Sequence, residues 1–246
     1  IMLSFPRTIG HRGARAYAPE NTLAGIRVAA GQGARWVEVD VKLSRDGVPV
    51  LMHDDHVDRT TDGRGAVAGL DFADLRDLDA GVRFGPEFAG ERIPTLEETL
   101  ALVLELDLGI NLEIKPCPGR EVETARVALD AARALWPAGR PAPLVSSFEV
   151  PSLETARDHM PDWPRGYLID RRPRDWRDVA DRVEAATINV NASRENARGI
   201  AEYLATGRPV LAYTVNDPGR AKELVGLGVA AVFTDRPRDI LAVLGG

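Results

Sequence analysis

Glu38 and Asp40 stand two residues apart in the run Val37-Glu38-Val39-Asp40-Val41, and Glu113 and Lys115 stand two apart in Leu112-Glu113-Ile114-Lys115. In a β-strand, residues at i and i+2 project from the same face, so each pair presents charge on one side of a short apolar run. Charge inside a strand is costly unless it is paired or bound to a metal. Three converging carboxylates, with no Cys or His pair at zinc-like spacing, suit a hard divalent cation, Mg²⁺ or Ca²⁺, with Mn²⁺ also admissible. The structural alternative is a salt-bridge network in which Arg12 and Lys115 neutralise Glu38, Asp40 and Glu113. Either doublet alone is more often structural; their coincidence favours a cation site.

His11 and His53 are candidates for general acid and base, because an imidazole with a pKa near 6.5 exchanges a proton at neutral pH. The other two histidines, His56 and His159, read as packed or surface residues. Arg12 and Lys115 carry positive charge suited to phosphate oxygens. Glu20 pairs with Arg12 or another loop cation in this reading, and Asn21 reads as the N-cap of the helical run that follows. Tyr213 either walls a substrate pocket or fills the scaffold. Cys117 reads as an inert thiol, and Asp235, just before Pro237, as the cap of a last helix.

These side chains need a scaffold that gathers strand ends. Eight short apolar runs, at 8–10, 36–41, 110–114, 144–147, 166–169, 187–190, 209–213 and 230–233, alternate with helical periodicity at 22–30, 96–105, 122–135, 153–159, 201–205 and 219–227. That alternation predicts an α/β fold, a closed (β/α)₈ TIM-type barrel, whose catalytic groups come from the C-terminal strand ends. A ninth run at 48–53 follows the second after only Ser44-Arg45-Asp46-Gly47, too short for a parallel crossover, so it should fold back as a β-hairpin. With Leu43 opposite Val48, the register sets Glu38 opposite His53 and brings His53 to the face of Glu38 and Asp40. Residues of about 54–95 form no barrel unit and read as a small insertion beside the barrel mouth, within one domain over 1–246.

The chain of 246 residues has 31 basic and 37 acidic residues, a net charge of −6, which argues against a nucleic-acid partner. One Cys forms no internal disulfide, and no run of about 18 apolar residues suggests a membrane span or stable membrane association. A cytoplasmic protein is expected. Ile1 ahead of Met2 reads as a processed or appended start that could hide a removed leader.

Taken together, the motifs resemble the glycerophosphodiester phosphodiesterase family. His11-Arg12-Gly13, Pro19-Glu20-Asn21-Thr22, Glu38-Val39-Asp40-Val41, His53-Asp54 with Thr60-Thr61 and Gly63, and Glu113-Ile114-Lys115 follow its pattern in order. Ser147-Phe148, Tyr213-Thr214-Val215-Asn216 and Thr234-Asp235-Arg236-Pro237 are similar to its later signatures, with Tyr213 where relatives often carry Trp. The resemblance implies metal-dependent hydrolysis of a small-molecule phosphodiester to glycerol 3-phosphate and an alcohol. It assigns the metal to Glu38, Asp40 and Glu113, acid–base work to His11 and His53, and phosphate contact to Arg12 and Lys115, with Glu20 a further site residue. The nucleophile is either water or the glycerol 2-hydroxyl. The rival on the same barrel is a lysophospholipase D or sphingomyelinase-D-like activity, which would need an apolar groove beside the insertion.

Overall fold

The computed structural model describes residues 5–245, so the Ile1-Met2 start lies outside them. The strands are β1 (Thr8–Gly10), β2 (Trp36–Leu43), β3 (Pro49–Leu51), β4 (Gly109–Ile114), β5 (Leu144–Ser147), β6 (Arg165–Ile169), β7 (Thr187–Asn191), β8 (Val210–Tyr213) and β9 (Ala231–Thr234). The helices are α1 (Leu23–Gly31), α2 (Phe72–Asp77), α3 (Leu96–Glu105), α4 (Glu121–Leu135), α5 (Val150–His159), α6 (Trp176–Arg182), α7 (Ala197–Leu204), α8 (Pro218–Gly226) and α9 (Pro237–Leu244). Eight parallel strands close on themselves because β1 pairs with β9 on one side and with β2 on the other. Helices fill the intervals, and the architecture is the (β/α)₈ barrel. The helix at 176–182 has no counterpart among the expected runs, and α7 starts four residues before its expected bound.

Alternation along β2 and β4 does the positioning. Val37, Val39, Val41, Ile110, Leu112 and Ile114 are buried in one core with α1, α3 and α4 residues such as Ile26, Leu100 and Leu129. The intervening residues therefore face into the barrel, and the parallel register sets Glu38 beside Asn111 and Asp40 beside Glu113. Lower in the barrel buried polar side chains pair in part: Asn111 Nδ2 donates to Ser146 at 2.9 Å and Thr187 to Asn189 at 2.8 Å, while Asn111 Oδ1 and Asn189 Nδ2 have no partner among the described residues.

The hairpin forms, but its register is one residue away from the expected one. Leu43 lies opposite Pro49 and Val41 opposite Leu51, so Glu38 does not face His53. Ser44 and Val48 close the turn, with the Ser44 N–H donating to the Val48 carbonyl at 3.0 Å and the Val48 N–H to Ser44 Oγ at 2.9 Å. The loop is thus three residues long, ending on Gly47 at φ +83°, the left-handed position that a three-residue hairpin requires. β3 stops at Leu51, so His53 sits in the following loop, free of strand alternation.

The insertion carries a small core of its own, in which Val57, Val67 and Leu75 pack with Val50, Met52 and Ile93. Cys117 is buried against this cluster, and burial pushes its thiol pKa up, consistent with an inert residue. Replacing Gly47 by Ala places a Cβ in left-handed backbone; urea unfolding should show a loss of about 1 kcal/mol, smaller for Gly47→Asn. An unchanged midpoint for Gly47→Ala would contradict the three-residue turn.

Candidate active site

The loop after β1 enters the site first. Arg12 adopts φ +51° and Gly13 φ +86°, and a Cβ on Gly13 would meet the Gly25 carbonyl carbon at 2.6 Å. This tight return onto the start of α1 turns the Arg12 N–H towards Glu38, to whose Oε2 it donates at 2.9 Å. A non-glycine residue held at positive φ costs about 1–2 kcal/mol, and such cost concentrates at functional sites.

Glu38, Asp40 and Glu113 are all buried, and each offers a carboxylate oxygen within 4.8 Å of the others. Glu38 Oε1 is buried with no hydrogen-bond partner among the described residues. An orphaned acceptor beside two further carboxylates is what a hard cation satisfies, so the donor set fits an ion such as Mg²⁺ or Ca²⁺. Without one, burial drives the Glu38 pKa up, reinforced by the charges of Asp40 and Glu113. Burial and the Asp40 charge likewise raise Glu113 to about 7, against the pull of Lys115. Asp40 goes the other way: burial favours its neutral form, but Arg12 and Lys115 outweigh that and hold it ionised.

Arg12 Nε lies 3.2 Å from Asp40 Oδ2 in poor alignment for a hydrogen bond, so that contact is an ion pair. Lys115 Nζ donates to Glu113 Oε1 at 2.8 Å and stands 4.0 Å from Asp40. Asn21, expected as a helix cap, is instead committed to Asp40: its Nδ2 donates to Oδ2 at 2.8 Å and its Oδ1 accepts from the Asp40 N–H at 3.1 Å. Thr22 caps α1 in its place, accepting from the Gly25 N–H.

Each candidate histidine is held by a carboxylate through Nδ1. His11 Nδ1 lies 2.7 Å from Asp235 Oδ1, and His53 Nδ1 lies 2.7 Å from Asp54 Oδ1. Both aspartates are lowered in pKa, Asp54 to about 2 through its Arg59 hydrogen bonds, and Asp235 because His11 outweighs the effect of burial. An ionised carboxylate only accepts, so Nδ1 carries the proton in each ring and Nε2 is left unprotonated. Burial lowers the pKa of both histidines, only partly opposed by Asp235 at His11 and by Asp40 at His53. Both are therefore neutral at pH 7.

His11, Arg12, Glu38, His53, Glu113 and Lys115 line one cavity of about 180 Å³, with Tyr213 in its wall. Asp40 joins them through Arg12 and Lys115. Glu20 stands one layer behind, accepting from Arg12 at 2.9 Å. Asp235 was expected only to cap α9, which has no side-chain cap; instead it accepts from His11 and from Asn216, because β1 pairs with β9 and brings the chain ends together. Phe148, quoted from the sequence only as part of the Ser147-Phe148 signature and given no site role, lies against Lys115, whose Nζ stands 5.0 Å from its ring, and Tyr213 packs on it edge-on at 5.7 Å. Sequence reading missed Arg59, whose guanidinium clamps Asp54 with contacts of 2.6 and 3.0 Å and Glu20 with contacts of 2.7 and 2.9 Å. A lone Arg in a turn-rich segment gives no periodic signal.

A family model described as the glycerophosphoryl diester phosphodiesterase family matches residues 11–239. The chain belongs to that family. Its relatives include YhdW of Bacillus subtilis, 34% identical over 244 residues covering 95% of this chain and 96% of that one. The glycerophosphodiester phosphodiesterase of Caldanaerobacter subterraneus is 32% identical over 240 residues, 95% of each chain. Among solved structures, an Oleispira antarctica phosphodiesterase in complex with the product sn-glycerol-3-phosphate superposes with a TM-score of 0.94 at 39% identity, covering 98% of this chain and 97% of that one. The protein is a phosphoric diester hydrolase of the glycerophosphodiester class.

The Arg59 clamp has a consequence for acid stability. Glu20 and Asp54 are held below their unfolded pKa values near 4, Asp54 first of all by its hydrogen bonds to Arg59, and Glu20 because Arg59 and Arg12 outweigh the opposing effect of burial. A carboxylate with a depressed native pKa stabilises the fold above its unfolded pKa and loses that contribution as pH falls. Arg59→Ala should therefore destabilise at pH 7, with the gap to the parent narrowing towards pH 2 in chemical unfolding. A gap that is constant with pH would refute the clamp.

Proposed function

We propose that the protein hydrolyses glycerophosphodiesters to glycerol 3-phosphate and an alcohol in a divalent-cation-dependent reaction. In this proposal Glu38, Asp40 and Glu113 hold Mg²⁺ or Ca²⁺, and His11 and His53 move the protons. The observation that carries it is the convergence, in one cavity, of three mutually close buried carboxylates, two cationic side chains and two carboxylate-oriented histidines. The chain acts as one barrel unit over 1–246 with its insertion, and a cytoplasmic setting accords with its single cysteine.

A bound divalent cation supplies Lewis-acid neutralisation of the phosphate oxygens. Arg12 and Lys115 add fixed positive charge where the transition state spreads negative charge over those oxygens. Glu20 keeps Arg12 in place through their 2.9 Å contact. His11, deep in the cavity with Nε2 3.9 Å from Glu38 Oε2, accepts the proton of the nucleophile. His53, at the cavity edge, delivers a proton to the departing alkoxide. Both hold neutral Nε2 at pH 7, so in this proposal partly exposed His53 takes a proton at Nε2 from bulk water before donating it, His11 returns the nucleophile's proton to water, and the 2.7 Å contact with Asp54 stabilises the His53 imidazolium. Tyr213 Oη and Asn111 Oδ1 are buried polar atoms without partners in the cavity lining, and glycerol hydroxyls would satisfy them.

Acylated lipids fit less well. The cavity beside the insertion, about 240 Å³, is ringed by Arg15, Arg59, Arg83 and Glu20 with only Phe84, Pro19 and Ala80 as larger apolar contributors. A chain that gains about 0.8 kcal/mol per buried CH₂ has little to lie against there.

His53→Ala should cut turnover of glycerophosphodiesters by about 10²–10⁴-fold while cation binding persists, and excess chelator should silence the parent enzyme reversibly. Full turnover by His53→Ala would remove His53 as the acid, and full activity in chelator would remove the cation from the reaction.

A further inference from the structure

His53, Glu113, Lys115 and Phe148 line two cavities at once. The deep one is the cavity already described, walled by Leu168, Tyr213 and Phe233. The outer one, about 460 Å³, opens over the loop after β4 and the starts of α4 and α5, and also contains Lys42, Asp55, Glu121 and Glu149. A phosphodiester has two ester arms. With phosphorus at the residues common to both cavities, the glycerol arm enters the deep cavity, where unpartnered polar atoms await its hydroxyls, and the leaving alcohol falls in the outer one.

The charge of the outer cavity is unbalanced. Lys42 Nζ is engaged with Asp55 at 2.7 Å and Lys115 Nζ with Glu113 at 2.8 Å. Glu121 accepts only the Gly119 N–H, at 3.0 Å, and Glu149 has no side-chain hydrogen bond or ion pair among the described residues. Both stand at helix starts, Glu121 as the first residue of α4 and Glu149 just before α5. Among the described residues no arginine lines this cavity, whereas three line the one beside the insertion. Phe148 contributes an apolar wall to the cavity that Glu121 and Glu149 also line.

We propose that the outer cavity is the leaving-alcohol subsite and that Glu121 and Glu149 make it select amino alcohols bearing an ammonium group, of the ethanolamine or choline type, over neutral alcohols. This rests on the phosphodiesterase reading above. An ammonium group placed there neutralises charge that the protein leaves uncompensated, and Phe148 shields its carbon atoms from water. A neutral alcohol gains only the apolar contact.

The test compares kcat/KM for glycerophosphoethanolamine and glycerophosphoglycerol in the full chain loaded with Mg²⁺ or Ca²⁺, at low and at high salt, and in E121Q, E149Q and the double variant. The cationic substrate should be preferred about tenfold at low salt. Each substitution should reduce the ratio about threefold, the worth of a partly exposed ion pair, and high salt should reduce it in the unsubstituted enzyme. A ratio of one or less in the unsubstituted enzyme, or a preference that neither salt nor the double variant moves, would overturn the subsite. Turnover of both substrates without preference refutes the subsite alone; turnover of neither refutes the phosphodiesterase reading and the subsite with it.

Discussion

Glu38, Asp40 and Glu113 repel one another in a barrel mouth with little water to screen them. At separations up to 4.8 Å, two ionised carboxylates repel by on the order of 3 kcal/mol even at an effective dielectric constant of 20. The neighbouring structure is arranged around that repulsion. The Arg12 backbone is held at positive φ to give its N–H to Glu38, the Arg12 and Lys115 side chains flank Asp40, and Asn21 abandons helix capping to hold Asp40 from both sides. What these contacts leave over appears as raised pKa values at Glu38 and Glu113, both driven first by burial, and as one acceptor with no partner. A site under this tension is poised for a cation.

The same network reaches outward through salt bridges. Arg12 contacts Glu20, Glu20 contacts Arg59, Arg59 contacts Asp54, and Asp54 fixes the ring of His53. The insertion therefore supplies, through Arg59, a mechanical link between Arg12 and His53, the groups proposed to bind phosphate and to transfer a proton. On the opposite side the closing strand pair β1–β9 supplies Asp235 to His11. Both histidines are oriented by residues whose position depends on the barrel being closed and the insertion being docked. The global charge of −6 is no obstacle to an anionic substrate, because Arg12 and Lys115, together with the cation proposed at Glu38, Asp40 and Glu113, would reverse the sign locally.

The parts legible in the sequence are those set by short-range periodicity. Alternation in β2 and β4 fixes which face Glu38, Asp40, Glu113 and Lys115 occupy, whatever the surrounding topology, and eight alternating βα units point to the barrel. What depends on one residue of loop geometry or on distant pairing is not legible. Four residues between Leu43 and Val48 admit either a four-residue loop or a three-residue loop closed by Ser44, and only the left-handed Gly47 decides, which moved the register. Asp235 sits 224 residues from His11, so a local reading sees only a cap before proline. Asn21 offered two competing uses for one side chain, and buried Asp40 outbid the helix end. Glu121 and Glu149 look like ordinary helix-start acids until the outer cavity is seen between them.

The central claim is that these three carboxylates hold one cation in exchange for protons. Titration calorimetry with Mg²⁺ or Ca²⁺ in buffers of different ionisation enthalpy tests it directly, since Glu38 and Glu113 carry raised pKa values, Glu113 near 7, and must give up protons to bind. Three carboxylates sharing one cation should bind one ion per chain, release protons at pH 6.5 to 7, gain affinity as pH rises, and lose binding in Glu38→Gln. Binding without proton release, or undiminished binding in Glu38→Gln, would contradict it.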